Sequence, residues 1–154
     1  MISYEQSKKI LKKAIIKIKD ESIVSVSSLN RVTSSNIYSK INYPTSDNAA
    51  FDGFAVNSSD TKKISKKLPK EFKIIGSIAA GSKPFKKKIK KFDTVEIMTG
   101  GVLPKGFDTI IPIEQIIFYP NKTKKNSILI SKKISKNNHV RFKGSDYKKN
   151  ELVI

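Results

Sequence analysis

Cysteine is absent and histidine is reduced to His139 in a chain of 154 residues. Without cysteine there is no disulfide scaffold, no thiolate metal site and no cysteine nucleophile. A lone histidine excludes a multi-histidine metal site and speaks against a Ser–His–Asp hydrolase. No apolar run approaches the ~20 residues of a membrane span, and the N-terminus lacks the apolar stretch of a signal peptide. The expectation is a soluble, cytoplasmic protein with no membrane partner. Acidic residues are also scarce, 13 Asp plus Glu against 31 Lys plus Arg, for a formal charge of +18. Such an excess is the electrostatic footprint of a nucleic-acid binder. Yet arginine is nearly missing: only Arg31 and Arg141 can offer a planar bidentate fork. The lysines fall in short runs such as Lys86-Lys87-Lys88 and Lys132-Lys133, and no aromatic residues alternate with them as a base-stacking platform requires. A solvated, Lys-rich surface accounts for them better, so nucleic acid is not the expected partner. Anionic ligands should still be attracted at low salt.

What is present suffices for one domain or two small ones. Ser3 and Gln6 read as a capping box. Ile10, Leu11, Ala14, Ile15 and Ile18 then recur at helical spacing, which predicts an amphipathic helix of about four to five turns over residues 1–20. Strands are predicted at Ile23–Val26, Asn36–Ser39, Gly53–Val56, Glu71–Ile78, Thr94–Met98, Asp108–Ile113 and Gln115–Tyr119. A hairpin through Pro120–Asn126 leads to Ile128–Ile130, and short strands follow around Val140 and at Leu152–Ile154. One helix followed by many short strands reads as a mainly β, α+β fold, not a parallel α/β sheet. The chain stops on the apolar run Leu152-Val153-Ile154, which leads us to expect that the molecule continues, here or in another chain.

Three stretches could carry chemistry. Asp47, Asp52 and Asp60 lie in one window, with small residues Ser46, Asn48, Ala49 and Ala50 before Asp52-Gly53. Gly53 permits a positive φ, and a carboxylate there can hold Mg²⁺ or accept hydrogen bonds; it can equally make a turn. Thr99-Gly100-Gly101 ends a strand, and such a turn can offer backbone N–H groups to phosphate or be a plain turn. Gly144-Ser145-Asp146 lies near Arg141, which can pair with a carboxylate or phosphate. His139 reads as a surface residue.

The order of these pieces is more telling than any of them singly. Asp47-Asn48-Ala49-Ala50-Phe51-Asp52-Gly53-Phe54-Ala55-Val56 resembles the D-N-S-A-M-D-G-Y-A-V signature of the molybdopterin molybdenumtransferases, the MoeA family that includes the gephyrin E domain. Ile74–Gly81 resembles its V-x-G-x-x-x-A-G element. Glu96–Ile111 resembles R-I-M-T-G-A-x-x-P-x-G-A-D-x-V-V, and Val140–Asp146 resembles I-R-x-x-G-E-D. The four motifs stand in the family's order, and the resemblance runs from Tyr4 to Ile154.

The resemblance implies a fold of short, bifurcated and coiled β-sheets in two subdomains: an N-terminal helix at 1–20, a small outer subdomain of 21–45 plus 140–154, and an inserted β subdomain at 46–139. It implies molybdenum cofactor biosynthesis, in which molybdenum from molybdate is inserted into adenylylated molybdopterin with Mg²⁺ and AMP is released. Asp52, Thr99 and Asp146 fall on the family's catalytic positions, with Asp52 and Asp146 as metal ligands. Asn48, Gly53, Gly100, Gly101 and Arg141 fall on substrate-binding ones. Three departures stand out: Phe51 replaces Met, Phe54 replaces Tyr, and Ser145 replaces Glu. The family's pterin-binding α/β domain and C-terminal β domain are absent from residues 1–154. The implied partner is therefore a second copy in a homodimer, or a complementing chain carrying the pterin-binding domain, and residues 1–154 alone are expected to be inactive. A non-enzymatic scaffold module derived from the same family is the alternative, and a basic nucleic-acid-binding domain a weaker one.

Overall fold

The computed structural model describes residues 1–14, 18–121, 123 and 125–154. The chain forms two compact units, one of residues 1–37 with Ile154 and one of Tyr38–Val153.

In the first unit, helix α1 spans Tyr4–Lys13. Ser3 and Gln6 form the expected reciprocal cap, each side chain taking the other's backbone N–H. Glu5 near the start and Lys12 and Lys13 near the end suit the helix dipole. The helix is shorter than its periodicity predicts. Ala14 is extended (φ −71°, ψ 101°), where the β-branched pair Ile15-Ile16 begins and helix propensity falls. Ile15 lies outside the described residues, and Ile18 is exposed and non-helical. The predicted strand Ile23–Val26 is instead irregular chain entering a 3₁₀ turn at Ser25–Ser27. Its alternation has the strand period, but no second strand stands beside it, and β-branched residues need one to pair. Arg31 pairs with Glu21, and Ile37 and Ile154 exchange backbone hydrogen bonds.

The second unit is built on strands β1 (Asn48–Ala49), β2 (Gly53–Val56), β3 (Lys70–Ile78), β4 (Asp93–Ile97), β5 (Thr109–Pro112), β6 (Ile117–Pro120), β7 (Lys125–Ile130) and β8 (Val140–Arg141). Six form one sheet in the order β5-β2-β4-β3-β7-β6, and β1 pairs with β8 in a second. All pairs are antiparallel except β3 with β4. One parallel pair thus sits inside the mainly β fold that the turn pattern predicts. The large sheet buries both faces. Phe54, Val56, Phe72, Ile111 and Ile128 pack on one side. Ala55, Ile78, Val95, Ile97 and Ile110 pack on the other. This explains why β2 and β5 read as unbroken apolar runs, not as alternation. The predicted strands at Asn36–Ser39 and Leu152–Ile154 reduce to a single bridge, Tyr38 with Leu152. Too few residues face one another there to extend a ladder.

Candidate active site

The segment 47–52 is the spine of the site, because its backbone is tied on both sides. Asn48 pairs with Arg141 of β8 and bridges to Val102. Ala49 accepts the Gly100 N–H at 2.9 Å and donates its own to the Gly101 carbonyl, also at 2.9 Å. Ala50 N–H reaches the His139 carbonyl at 3.0 Å. Asp47 clamps both neighbours: its carbonyl accepts Leu103 N–H at 3.0 Å and its Oδ1 accepts Lys143 N–H at 2.8 Å. The three motif regions around 50, 100 and 141 are therefore brought to one place.

Asp52 immediately precedes β2. Its carbonyl accepts Ile113 N–H at 3.0 Å, and the next residue fixes its position further. A Cβ on Gly53 would lie 2.0 Å from the Ile111 carbonyl oxygen, so only glycine lets β2 approach β5 this closely. Gly53 is not in the left-handed region. The reason for glycine here is strand contact, not the positive φ that the sequence suggests. Gly53 itself is buried.

The turn Thr99-Gly100-Gly101 leaves β4 with Gly100 at φ +78°. Thr99 donates both its N–H (2.6 Å) and its hydroxyl (2.7 Å) to Asp52 Oδ1. Gly100 N–H is held by Ala49 and Gly101 N–H by Met98. The expected phosphate cradle of free backbone N–H groups is thus not what the turn presents. Its anion is the Asp52 carboxylate, and its donors are engaged within the chain. The backbone N–H of Thr99, then its hydroxyl, hold the Asp52 carboxyl below its ordinary value of 3.8. Oδ1 is occupied twice and Oδ2 faces no donor among the described residues.

The third motif folds as a loop on Tyr43-Pro44. Gly144 N–H reaches the Pro44 carbonyl at 2.9 Å, and Asp146 N–H reaches the Tyr43 carbonyl at 3.0 Å. Asp146 Oδ2 accepts from Arg141 Nη2, and Oδ1 accepts from the Ser145 hydroxyl at 3.1 Å. The Arg141 hydrogen bond is the main reason the Asp146 carboxyl is held below its ordinary value. The Arg141 guanidinium also lies 5.6 Å from the Tyr43 ring centroid.

The structure joins Asp52 to Thr99 and Arg141 to Asp146, as two pairs flanking the 47–52 spine. The acidic window of the sequence is divided: Asp60 sits apart, accepting Phe92 N–H at 3.2 Å. His139 is half-buried, its ring edge-on to Phe51 at 5.0 Å, so it is not the free surface residue expected. The Asn48 Oδ1 is buried with no donor among the described residues. Sequence reasoning missed Asp47 as the clamp, since a carboxylate that ties two distant backbones has no local signature.

A family profile described as "MoeA N-terminal region (domain I and II)" matches residues 2–154. A curated relative named molybdopterin molybdenumtransferase from Staphylococcus aureus (strain Mu50) is 33% identical over 127 residues, 82% of this chain and 29% of the relative. One of the same name from Haemophilus influenzae is 34% identical over 125 residues, 81% of this chain and 28% of the relative. Among solved structures, a molybdopterin biosynthesis MoeA protein from Pyrococcus horikoshii OT3 superposes with a TM-score of 0.88 at 26% identity, covering all of this chain and 39% of that one. The chain spans about three tenths of the length of these two curated relatives. The sheet order, the Asp52–Thr99 and Arg141–Asp146 pairs on one spine, and these likenesses agree: the chain belongs to the MoeA family, as its N-terminal region.

Proposed function

We propose that residues 1–154 act in molybdenum cofactor biosynthesis as the N-terminal part of a molybdopterin molybdenumtransferase, which inserts molybdenum from molybdate into adenylylated molybdopterin and releases AMP. The observation that carries this reading is the Asp52 carboxylate, gripped on Oδ1 by the Thr99 N–H and hydroxyl at 2.6 and 2.7 Å. Two donors on one oxygen keep the group ionised and aim the other oxygen outward. Oδ2 is then a fixed acceptor for a substrate N–H or O–H, or a ligand for a cation. Arg141, tethered by Asp146, keeps further N–H donors of its fork for an oxyanion such as molybdate or phosphate. The buried Asn48 Oδ1 is an acceptor awaiting a donor. In this reading Gly53, Gly100 and Gly101 shape the backbone that positions these groups.

Mg²⁺ is the cofactor this reading implies. Such a cation usually takes one or two protein carboxylates and completes its shell with water and substrate phosphate. Asp52 Oδ2 fits that role, with the Asp146 carboxylate as the second candidate. No group of three or more His, Asp or Glu side chains stands together among the described residues. The donor set therefore fits a cation that arrives with the phosphorylated substrate, not a resident cage. When bound, Mg²⁺ would neutralise phosphate charge and polarise phosphoryl oxygens.

The same proposal gives the chain a partner, either a second copy or a complementing chain with the pterin-binding domain. Its support is the first unit, where no described side chain is buried and Ile10, Leu11, Val26, Leu29 and Val32 stand exposed. It also takes residues 46–139 as a subdomain inserted between 21–45 and 140–154. No helix among the described residues is long and apolar enough to cross a membrane. The test is AMP release from adenylylated molybdopterin with molybdate and Mg²⁺. Residues 1–154 alone should show none. In the presence of the complementing domains, Asp52→Asn should lower the rate by about 10²-fold or more, the scale of losing one aimed electrostatic group. An unchanged rate in that variant would overturn the reading.

A further inference from the structure

A cavity of about 650 Å³ opens at the end of β3, away from both pairs described above. Neither Asp52, Thr99, Arg141 nor Asp146 lines it. Its floor is apolar, formed by Ile78, Val102, Leu103 and the Phe85 ring. That floor is anchored. Ile78 is buried in the core beneath, and Phe85, Ile89 and Leu103 pack against the same cluster. The Phe85 ring occupies the space that a side chain at position 76 would need: a Cβ on Gly76 would lie 2.9 Å from Phe85 Cε2. Gly76 thus seats the wall that closes the cavity on one side.

The rim carries the opposite chemistry. Lys83, Lys87, Lys105 and Lys143 face Asp47 as the single acidic residue. Lys87 Nζ is tied to the Ile75 carbonyl at 2.6 Å. The Asp47 Oδ1 is taken by the Lys143 backbone N–H at 2.8 Å. The ammonium groups of Lys83, Lys105 and Lys143 have no ion-pair partner among the described residues. They come from three separate loops, so the fold gathers them.

We propose that this cavity binds a small organic anion with an aromatic body and a phosphate monoester head. The size lies within the range of about 300–1,000 Å³ typical of small-molecule sites. The apolar floor takes the ring, and the lysine rim takes the dianion. Neither half suffices alone: an isolated phosphate leaves the floor wet, and a neutral aromatic leaves the ammonium groups unmatched. The site is independent of the Asp52–Thr99 pair and of the activity proposed for it.

The probe is 1-naphthyl phosphate, titrated into the chain at 0.15 M salt and followed by its own fluorescence and by calorimetry. One saturable site is expected, at least tenfold tighter than for inorganic phosphate or for 1-naphthol. Lys83→Glu with Lys105→Glu should weaken it tenfold or more. Lys62→Glu with Lys63→Glu makes the same change in net charge away from the cavity and should change affinity less than twofold. Val102→Gln, at a half-exposed position that folding tolerates, should weaken naphthyl phosphate several-fold and leave inorganic phosphate unaltered. The proposal is overturned if binding does not saturate, if inorganic phosphate binds as tightly, or if the two lysine pairs weaken binding alike. The last result would mean that the bulk charge of +18 alone attracts the anion.

Discussion

Replacing Gly53 by alanine tests whether strand contact or ligand access dictates the glycine after Asp52. The new Cβ would stand 2.0 Å from the Ile111 carbonyl oxygen, 2.9 Å from its carbon and 3.0 Å from the Pro112 Cα. All three are backbone atoms of β5, so no side chain can swing aside. Relief requires β2 to move from β5 by about 1 Å, across the pairs Gly53 with Pro112, Phe54 with Ile111 and Ala55 with Ile110. Overpacking of this kind costs about 1–3 kcal/mol, and each weakened hydrogen bond roughly 0.5–1.5 more. The sum is about 3–5 kcal/mol, a large part of a stability of about 5–15 kcal/mol. With a urea slope of about 2 kcal/mol/M, the midpoint should fall by about 2 M. Gly100→Ala is the control. It forces a side chain into φ +78°, but its Cβ meets nothing nearer than the Ala80 Cβ at 3.5 Å. Its cost should stay near about 1–2 kcal/mol. Equal losses in the two variants, or a Gly53→Ala midpoint within 0.5 M of wild type (roughly 1 kcal/mol at that slope), would refute the argument.

Two further predictions concern the carboxylates. Thr99→Val removes the hydroxyl donor and keeps the backbone one, so the Asp52 carboxyl should move up toward 3.8 without reaching it, as read by carboxyl-carbon NMR titration; no movement would discount the bond. Because the folded value is depressed, the stability that Asp52 contributes is present above about pH 3.8 and lost as pH falls through the folded value, so the variant should lose less stability on acidification. Arg141→Gln should likewise raise the Asp146 carboxyl, since the guanidinium is the largest cause of its depression; a titration identical to wild type would show that the pair does not form in solution.

The main elements and the site motifs were legible from the chain itself. Phe54-Ala55-Val56 and Ile110-Ile111 announce buried strands because apolar residues on both faces require cover on both faces. Ser3 with Gln6 announces the helix start because a capping box needs only four residues. Ile23–Val26 and Leu152–Ile154 misled because strand pattern states a need for a partner and cannot supply one. The Asp52 and Thr99 positions were legible through their motifs, but their hydrogen bonds join residues 47 apart. Sequence alone determined which residues carry charge, which runs must be buried and where turns break them, since those depend on side-chain chemistry at short range. Only tertiary structure decided that the Thr99 turn closes on a carboxylate of its own chain, that Gly53 answers to a neighbouring strand, and that lysines from three loops ring one cavity. Each of these depends on distances between segments that the strand order sets and no local pattern encodes.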